Sequence, residues 1–108
     1  HRLADVAVGL LAARQMANLA VKKWGTTEDL LAGTLALVVA GQAAFLAADE
    51  AVQFHGGYGY MLEYPVQRTW RDVRQLTLLV GGPVGLAREA GQQLYSSPRF
   101  CLAPLGEE

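Results

Sequence analysis

The sequence predicts an all-α fold, an antiparallel up-and-down four-helix bundle. Apolar residues recur at three- and four-residue steps over long stretches, and breaks rich in glycine and proline separate those stretches. No stretch alternates apolar and polar residues as a half-buried strand does. We expect the bundle to occupy residues 1–98 and a tail to occupy residues 99–108. Because the chain opens at His1 and enters a helical pattern at once, we also expect it to be part of a longer polypeptide.

The first helix is predicted over residues 2–24, because one face of that helix is apolar. Lysines at 22 and 23 followed by Gly25 form a favourable helix end, since cations suit the last turn and glycine suits the position after it. The apolar stripe consists of Leu3, Val6, Leu10, Ala13, Ala17 and Val21.

The second helix is predicted to begin after a cap at Thr26 or Thr27 and to run to about Gln53. Acidic residues at 28 and 29 would lie in its first turn, where they suit the helix dipole. Its middle, residues 30–51, is rich in alanine and apolar on most sides. We therefore expect it to be the most buried helix.

Two shorter helices are predicted to follow a glycine-rich loop. The third covers about residues 65–79, with Pro65 in its first turn, where a missing N–H costs nothing. The sequence Gly81-Gly82-Pro83 breaks this helix, and the fourth covers about residues 84–95. The sequence Ser96-Ser97-Pro98 is predicted to end it.

Composition limits the possible partners. Hydrophobic residues make up 52% of the chain and charged residues 18%, which predicts that apolar surface packs against another part of the protein or another subunit. The net charge of −1 gives no reason to expect nucleic-acid binding. Arg68, Arg71 and Arg74 lie near Asp72 and are predicted to form an ion-paired helix face.

Two further predictions concern the setting of the protein. Gln, Asp, Thr or Gly interrupt the longest apolar stretches, so no membrane-spanning segment is predicted. Cys101 is the only cysteine and has no partner for an internal disulfide or for a metal site. A reduced intracellular location, the cytoplasm, is therefore predicted.

The distinctive segment of the chain is the run from Phe54 to Tyr60, which contains three glycines. Gly56 and Gly57 would permit close approach of the backbone to a bulky or anionic group, and N–H groups in such a turn can hold phosphate oxygens. Composition alone favours an interhelical turn that binds no ligand.

The motifs around this run resemble those of a known family. Gln-x-x-Gly-Gly-x-Gly at 53–59 is followed by Glu-Tyr-Pro-Val-x-Arg at 63–68 and by Arg-Asp at 71–72. In this order they resemble the C-terminal signature of the acyl-CoA dehydrogenase family, and the likeness covers about 90 of the 108 residues. The resemblance implies a flavoenzyme that uses FAD to oxidise an acyl-CoA thioester to the 2,3-enoyl form, as in fatty-acid β-oxidation.

The resemblance also implies partners and cofactor contacts. It implies electron transfer to an electron-transferring flavoprotein, and a homo- or hetero-oligomer, dimeric or tetrameric, in which this domain contacts a neighbouring subunit's FAD. Gln53 would hydrogen-bond the adenosine-diphosphate portion, although its alternative role is helix C-capping. The imidazole of His55 is interpreted as a packing group. The implied cofactor-contact positions are Gln53, Phe54, His55, Gly56, Gly57 and Gly82, the last of which stands where many relatives carry a flavin-contacting threonine.

The sequence departs from the family at the catalytic base. Counted from Arg71-Asp72, the position of the usual glutamate falls on Val80, and valine cannot accept a proton. No catalytic residue is therefore predicted within this chain. Three explanations stay open: a base on a helix that precedes His1, a non-catalytic subunit of a heteromeric dehydrogenase, and a related protein of different chemistry.

Overall fold

The computed structural model describes residues 1–96, and their regular structure is entirely helical. No β-strand occurs in this range, which confirms the all-α prediction. The elements are α1 (Arg2–Lys22), α2 (Asp29–His55), a 3₁₀ turn (Gly56–Tyr60), α3 (Val66–Leu79) and α4 (Gly82–Ser96). The predicted helix boundaries lie within about two or three residues of those observed.

Helices α1 and α2 form an antiparallel pair. Near one end of the pair, Nη1 of Arg2 lies 3.5 Å from Oε2 of Glu50. Further along, Gly9 lies against Ala43, so closely that a Cβ added to Gly9 would lie 3.6 Å from the Cβ of Ala43. Residue numbers rise along α1 as they fall along α2, which fixes the antiparallel direction.

Helices α3 and α4 both run antiparallel to α2, one after the other along its length. In α3, the ring of Trp70 packs against that of Phe45 at a tilt of 48°, and Thr77 lies near Gly41. Farther along, residues 92–96 of α4 share a groove with residues 27–31 at the start of α2. The predicted up-and-down four-helix arrangement is therefore not confirmed, because α4 continues in the direction of α3.

The turn between α3 and α4 explains why the chain does not reverse there. Gly81 and Gly82 both have positive φ, 104° and 74°. These left-handed conformations end α3 without a long loop, and Pro83 then lies in the first turn of α4, where its fixed φ suits a helix. The chain bends at the two glycines and resumes along the same helix, α2.

The side of α1 that faces α2 differs from the predicted stripe. Of the six predicted residues, only Val6 and Ala13 are half-buried. Leu3 and Val21 remain 67% and 73% exposed. The packed side is rich in small residues because these allow two helix backbones to approach closely. The half-buried residues of α1 are Val6, Gly9, Ala13, Met16, Leu19 and Ala20.

Helix α2 is the most buried helix, as predicted. Seven of its residues are buried, whereas α1 has none and α3 has only Val66. It touches α1, α3 and α4, which makes it the shared element of the fold. It is not covered on every side, since Leu30, Leu37 and Leu46 are exposed.

The predicted threonine cap of α2 is wrong. Glu28 occupies the N-cap position, and α2 has no side-chain cap hydrogen bond. Thr26 instead stabilises the preceding turn, because its hydroxyl donates to the carbonyl of Lys23 at 2.6 Å and accepts from the N–H of Glu28 at 3.3 Å. The Thr26 hydroxyl therefore stabilises the turn between α1 and α2 and does not cap α2.

The predicted ion pairs on α3 are also absent from residues 1–96, where the only two ion pairs are Arg2–Glu50 and Lys23–Glu28. Asp72 follows Arg68 at the i+4 position, which is the less favourable order of charges on a helix. The guanidinium of Arg74 lies 5.0 Å from the ring centroid of Phe45 and 5.7 Å from that of Trp70. It stabilises α2–α3 packing instead of pairing with a carboxylate.

The predictions on a membrane span, a metal site and the C-terminal tail remain predictions. The segment Asp29–Tyr60 is long and apolar enough to cross a membrane by length and composition alone. This is weak evidence, because the segment includes the central helix α2, and core helices of soluble proteins also meet these two criteria. The prediction of no membrane span stays a prediction. Residues 1–96 contain no group of three or more His, Cys, Asp or Glu placed to hold a metal ion. Cys101 and the predicted tail lie outside the described residues.

Candidate functional site

The glycine-rich segment forms a tight turn at the C-terminal end of α2. Gly56 is the C-cap of α2, has φ 57° and ψ −136°, and donates its N–H to the carbonyl of Gln53. The chain then enters the 3₁₀ turn, which ends as the N–H of Met61 is donated to the carbonyl of Tyr58. Positive φ at Gly56 explains why glycine is favoured there.

The turn has one open side and one packed side. A Cβ at Gly56 or at Gly57 would meet no atom within 4 Å. A Cβ at Gly59 would instead lie 2.7 Å from the carbonyl oxygen of Val52. Gly59 therefore fixes the turn against α2 and leaves the backbone at 56 and 57 accessible to a ligand.

Gln53 lies beside this turn, with its side chain free of other partners. Its carbonyl accepts the capping N–H of Gly56, but its amide group forms no hydrogen bond within residues 1–96, so its side chain does not cap the helix. The side chain lines a cavity of about 300 Å³ between α2, the 3₁₀ turn and α3. The other lining residues are Asp49, Val52, Gly59, Tyr60, Gln67, Trp70 and Arg71.

The aromatic residues of the segment are largely exposed. Phe54 is 57% exposed, so its side chain is not part of the core. His55 is exposed, and its Nδ1 lies 2.7 Å from the carbonyl oxygen of Ala51. Because a carbonyl only accepts, Nδ1 carries a proton and donates in this contact. The His55 ring also meets Tyr64 edge-on at 6.2 Å between centroids.

Val80 lies at a second cavity, on another part of the molecule. It is the C-cap of α3 and contributes to a cavity of about 300 Å³ between α2, α3 and α4. None of the lining residues is titratable, and Gln42 and Thr77 supply the polar side chains. The lining comprises Leu37, Val38, Ala40, Gly41, Gln42, Ala44, Val73, Leu76, Thr77, Val80, Pro83 and Leu86.

Gly82 stands apart from the other implied cofactor-contact positions. It is buried at the start of α4, and it lines neither cavity. A Cβ at this position would lie 3.7 Å from Cδ2 of Leu78, in ordinary contact. Its positive φ accounts for the glycine by backbone conformation alone.

Comparison with known families identifies the domain. A family model described as "Acyl-CoA dehydrogenase, C-terminal domain" matches residues 1–90. The chain belongs to this family. Both the glycine turn and Val80 lie within the matched range. The acyl-CoA dehydrogenase C-terminal domain of this chain thus includes both the open backbone at Gly56 and Gly57 and the cavity that contains Val80.

Several curated relatives share this domain and differ in their named chemistry. The chain is 35% identical over 79 residues to 3-sulfinopropanoyl-CoA desulfinase of Paraburkholderia xenovorans, a match that covers 73% of this chain and 20% of the relative. It is 39% identical over 82 residues to (2S)-methylsuccinyl-CoA dehydrogenase of Cereibacter sphaeroides, covering 74% and 15%. It is 36% identical over 83 residues to the caffeyl-CoA reductase-Etf complex subunit CarC of Acetobacterium woodii, covering 73% and 21%.

The matched part of this acyl-CoA dehydrogenase C-terminal domain spans about a fifth or less of the length of those relatives. No solved structure matches the chain significantly. The family is therefore shown by sequence, and the helical fold of residues 1–96 is consistent with it.

Proposed function

We propose that the chain is part of an FAD-dependent acyl-CoA dehydrogenase that oxidises an acyl-CoA thioester to the 2,3-enoyl-CoA. In this proposal the segment supplies oligomer and FAD contacts, and the catalytic base comes from outside it. The observation that carries the proposal is the open backbone at Gly56 and Gly57 beside the unpartnered amide of Gln53, in a chain of this family.

The residues of the turn fit an anionic, nucleotide-like group. Backbone N–H groups at Gly56 and Gly57 can approach phosphate oxygens because no side chain covers them. The amide of Gln53 can donate to an oxygen or accept from a ribose hydroxyl without bringing a charge. When bound, FAD would supply the oxidant that accepts a hydride from the β carbon of the substrate.

The absence of a carboxylate around Val80 supports a base from elsewhere. The cavity that contains Val80 is lined by apolar side chains, an amide and a hydroxyl. None of these groups removes a proton from the α carbon of a thioester at neutral pH. A carboxylate on an earlier helix of the polypeptide would have to reach the substrate instead.

A second candidate function is favoured by the loop after Val80. Gly82 and Pro83 replace the polar residues that the family resemblance places there, and both left-handed glycines reshape the turn. A non-catalytic subunit, which supports the flavin of an active partner, would need neither the base nor those polar groups. The two candidates share the glycine turn and differ in the source of the base.

The proposal includes partners and location. Acyl-CoA is the substrate, and an electron-transferring flavoprotein is the electron acceptor, in line with a relative named as part of an Etf complex. The protein is proposed to be an oligomer located in the cytoplasm. One relative with a similar domain is named a desulfinase and not a dehydrogenase, so the reaction on the acyl-CoA differs among the relatives' names.

Replacement of Gly57 tests the cofactor contact. In the full-length protein, Gly57→Val should weaken flavin binding by more than about tenfold, because its side chain would fill the open space over the turn. The measurement is the ratio of flavin to protein absorbance after purification and titration with FAD. Gly91→Val is the matched control, since Gly91 is also exposed and open but lies on α4. Wild-type flavin content in Gly57→Val would contradict the assignment.

A further inference from the structure

The cavity that contains Val80 holds two polar side chains and no charge among the described residues. Its lining between α2, α3 and α4 is apolar except for Gln42 and Thr77, and its volume of about 300 Å³ lies at the lower end of the range for small-molecule pockets. An apolar cavity of about half that volume can hold a benzene ring. The cavity therefore has room for a short acyl group, and it offers that group two places for hydrogen bonds.

Thr77 can only accept a hydrogen bond from a ligand. Its hydroxyl already donates to the carbonyl oxygen of Arg74 at 2.8 Å, so its single proton is used and a lone pair of its oxygen remains. Thr77 is half-buried, so a hydrogen bond to it is stronger than one on a fully hydrated surface. A group that pairs with Thr77 must therefore be a donor.

Gln42 follows the residue of α2 that contacts Thr77. A Cβ added to Gly41 would lie 3.5 Å from Cγ2 of Thr77. The amide of Gln42 forms no hydrogen bond within residues 1–96, so it can both donate and accept. Gln42 is exposed, which places it where the cavity meets solvent. A hydroxyl, which both donates and accepts, can therefore bond to Thr77 and Gln42 together.

The same lining disfavours a charged group. A carboxylate would lose water in a cavity whose described lining includes no cation, and an ammonium would find no carboxylate there. A carboxylate also only accepts hydrogen bonds, so it could not pair with the remaining lone pair of Thr77. The chemistry of the cavity therefore selects a neutral donor.

We propose that the cavity containing Val80 binds the acyl group of a thioester whose chain carries a hydroxyl, and that Thr77 and Gln42 determine this specificity. The inference rests on the proposed function, because the family motif places the usual base, and with it the reacting α carbon, beside residue 80. Thr77 precedes Val80 by three residues, a rise of about 4.5 Å along α3. The hydroxyl would therefore lie a few bonds beyond the α carbon, where it donates to Oγ1 of Thr77 and accepts from Nε2 of Gln42.

Binding of matched CoA thioesters to the full-length protein tests this specificity. The probes are trans-2-hexenoyl-CoA, its 6-hydroxy derivative and the six-carbon analogue that ends in a carboxylate. These thioesters are already unsaturated, so they bind without being dehydrogenated, and isothermal titration calorimetry gives their dissociation constants. The wild type should bind the hydroxyl form about tenfold more tightly than the methyl form, because two neutral hydrogen bonds together contribute a factor of this order. The carboxylate form should bind more weakly than the hydroxyl form by more than about tenfold.

Variants at the two polar residues assign the preference to them. In Thr77→Val and in Gln42→Met, the ratio of the dissociation constants for the methyl and hydroxyl forms should fall towards one. Thr69→Val and Gln75→Met are the matched controls on α3 outside the cavity, and the Thr69 hydroxyl also donates to a backbone carbonyl. Both controls should keep the wild-type ratio. A ratio between two ligands of one protein is insensitive to a partial loss of folded chain.

Two results would overturn the inference. One is equal binding of the hydroxyl and methyl forms by the wild type, and the other is a wild-type ratio in both Thr77→Val and Gln42→Met. Bleaching of the flavin by saturated acyl-CoA is followed separately. A wild type that bleaches but has no preference for the hydroxyl keeps the proposed function and loses this inference. A wild type that neither bleaches nor binds any of the thioesters contradicts both.

Discussion

The glycines of the turn at residues 56–59 have different structural roles. Gly56 is required for its left-handed backbone, and Gly57 lies next to open space. Gly59 is buried against the carbonyl of Val52. The motif predicted a close approach of backbone to ligand, but it could not distinguish these roles. The difference arises from the return of the chain onto α2, a tertiary contact that no local pattern encodes.

Gly59→Ala should destabilise the domain by about 1–3 kcal/mol, because the new methyl group would be forced against Val52 and His55. The measurement is the thermal unfolding midpoint of the full-length protein. Gly57→Ala is the matched control in the same turn, where a methyl group meets open space. Equal midpoints for the two variants would show that Gly59 is not packed as described.

The positions of the helices and the antiparallel packing of α1 and α3 on α2 were largely predictable from the sequence, and the direction of α4 was not. Gly25, Pro65 and the pair Gly81-Gly82 end or begin helices for local reasons of backbone conformation, so boundaries follow from residue type. Direction after a break depends on which surface the next helix buries. The short turn at Gly81 and Gly82 lets α4 pack on α2 in the same direction as α3. Helical periodicity carries no information about this direction.

The same limit explains the error on α1 and on α3. Periodicity identified an apolar stripe on α1, but α2 packs on a side that shares only Val6 and Ala13 with that stripe and that includes Gly9, which allows close approach. On α3, charge spacing predicted ion pairs. The aromatic rings of Phe45 and Trp70, distant from each other in sequence, attract Arg74 instead.

Arg74→Ala should lower the free energy of unfolding by about 1 kcal/mol, because a cation over two aromatic rings contributes an amount of this order. Arg68→Ala is the control on the same helix, and its change should stay within about 0.5 kcal/mol. Both are read from denaturant unfolding of the full-length protein. Equal losses for both variants would contradict a specific contribution from the contact with Phe45 and Trp70.

At the scale of the whole molecule, the described helices leave many large apolar side chains exposed. Helix α1 has no buried residue, and large apolar side chains such as Leu3, Leu62 and Val84 remain exposed. The low charged fraction, 18%, predicted this need for further packing partners. The match to about a fifth or less of each relative's length is consistent with such partners in a larger protein.

The surroundings of Val80 also show what the sequence could and could not predict. The family motif located the usual base position at Val80, and the structure places it in a cavity lined by apolar side chains together with Gln42 and Thr77. The glycine turn and Val80 line different cavities, one between α2, the 3₁₀ turn and α3 and one between α2, α3 and α4.

Anaerobic bleaching of the flavin by acyl-CoA tests most directly whether the base comes from outside this segment. The full-length protein is mixed with a panel of straight- and branched-chain acyl-CoA thioesters, and flavin absorbance is followed in the wild type and in Val80→Glu. The account predicts rapid bleaching in the wild type and little gain in Val80→Glu. Replacing the upstream carboxylate nearest the flavin should slow bleaching by about 10²–10⁴-fold. A wild type that bleaches only with a partner subunit, or bleaching that survives removal of every upstream carboxylate near the flavin, would contradict it.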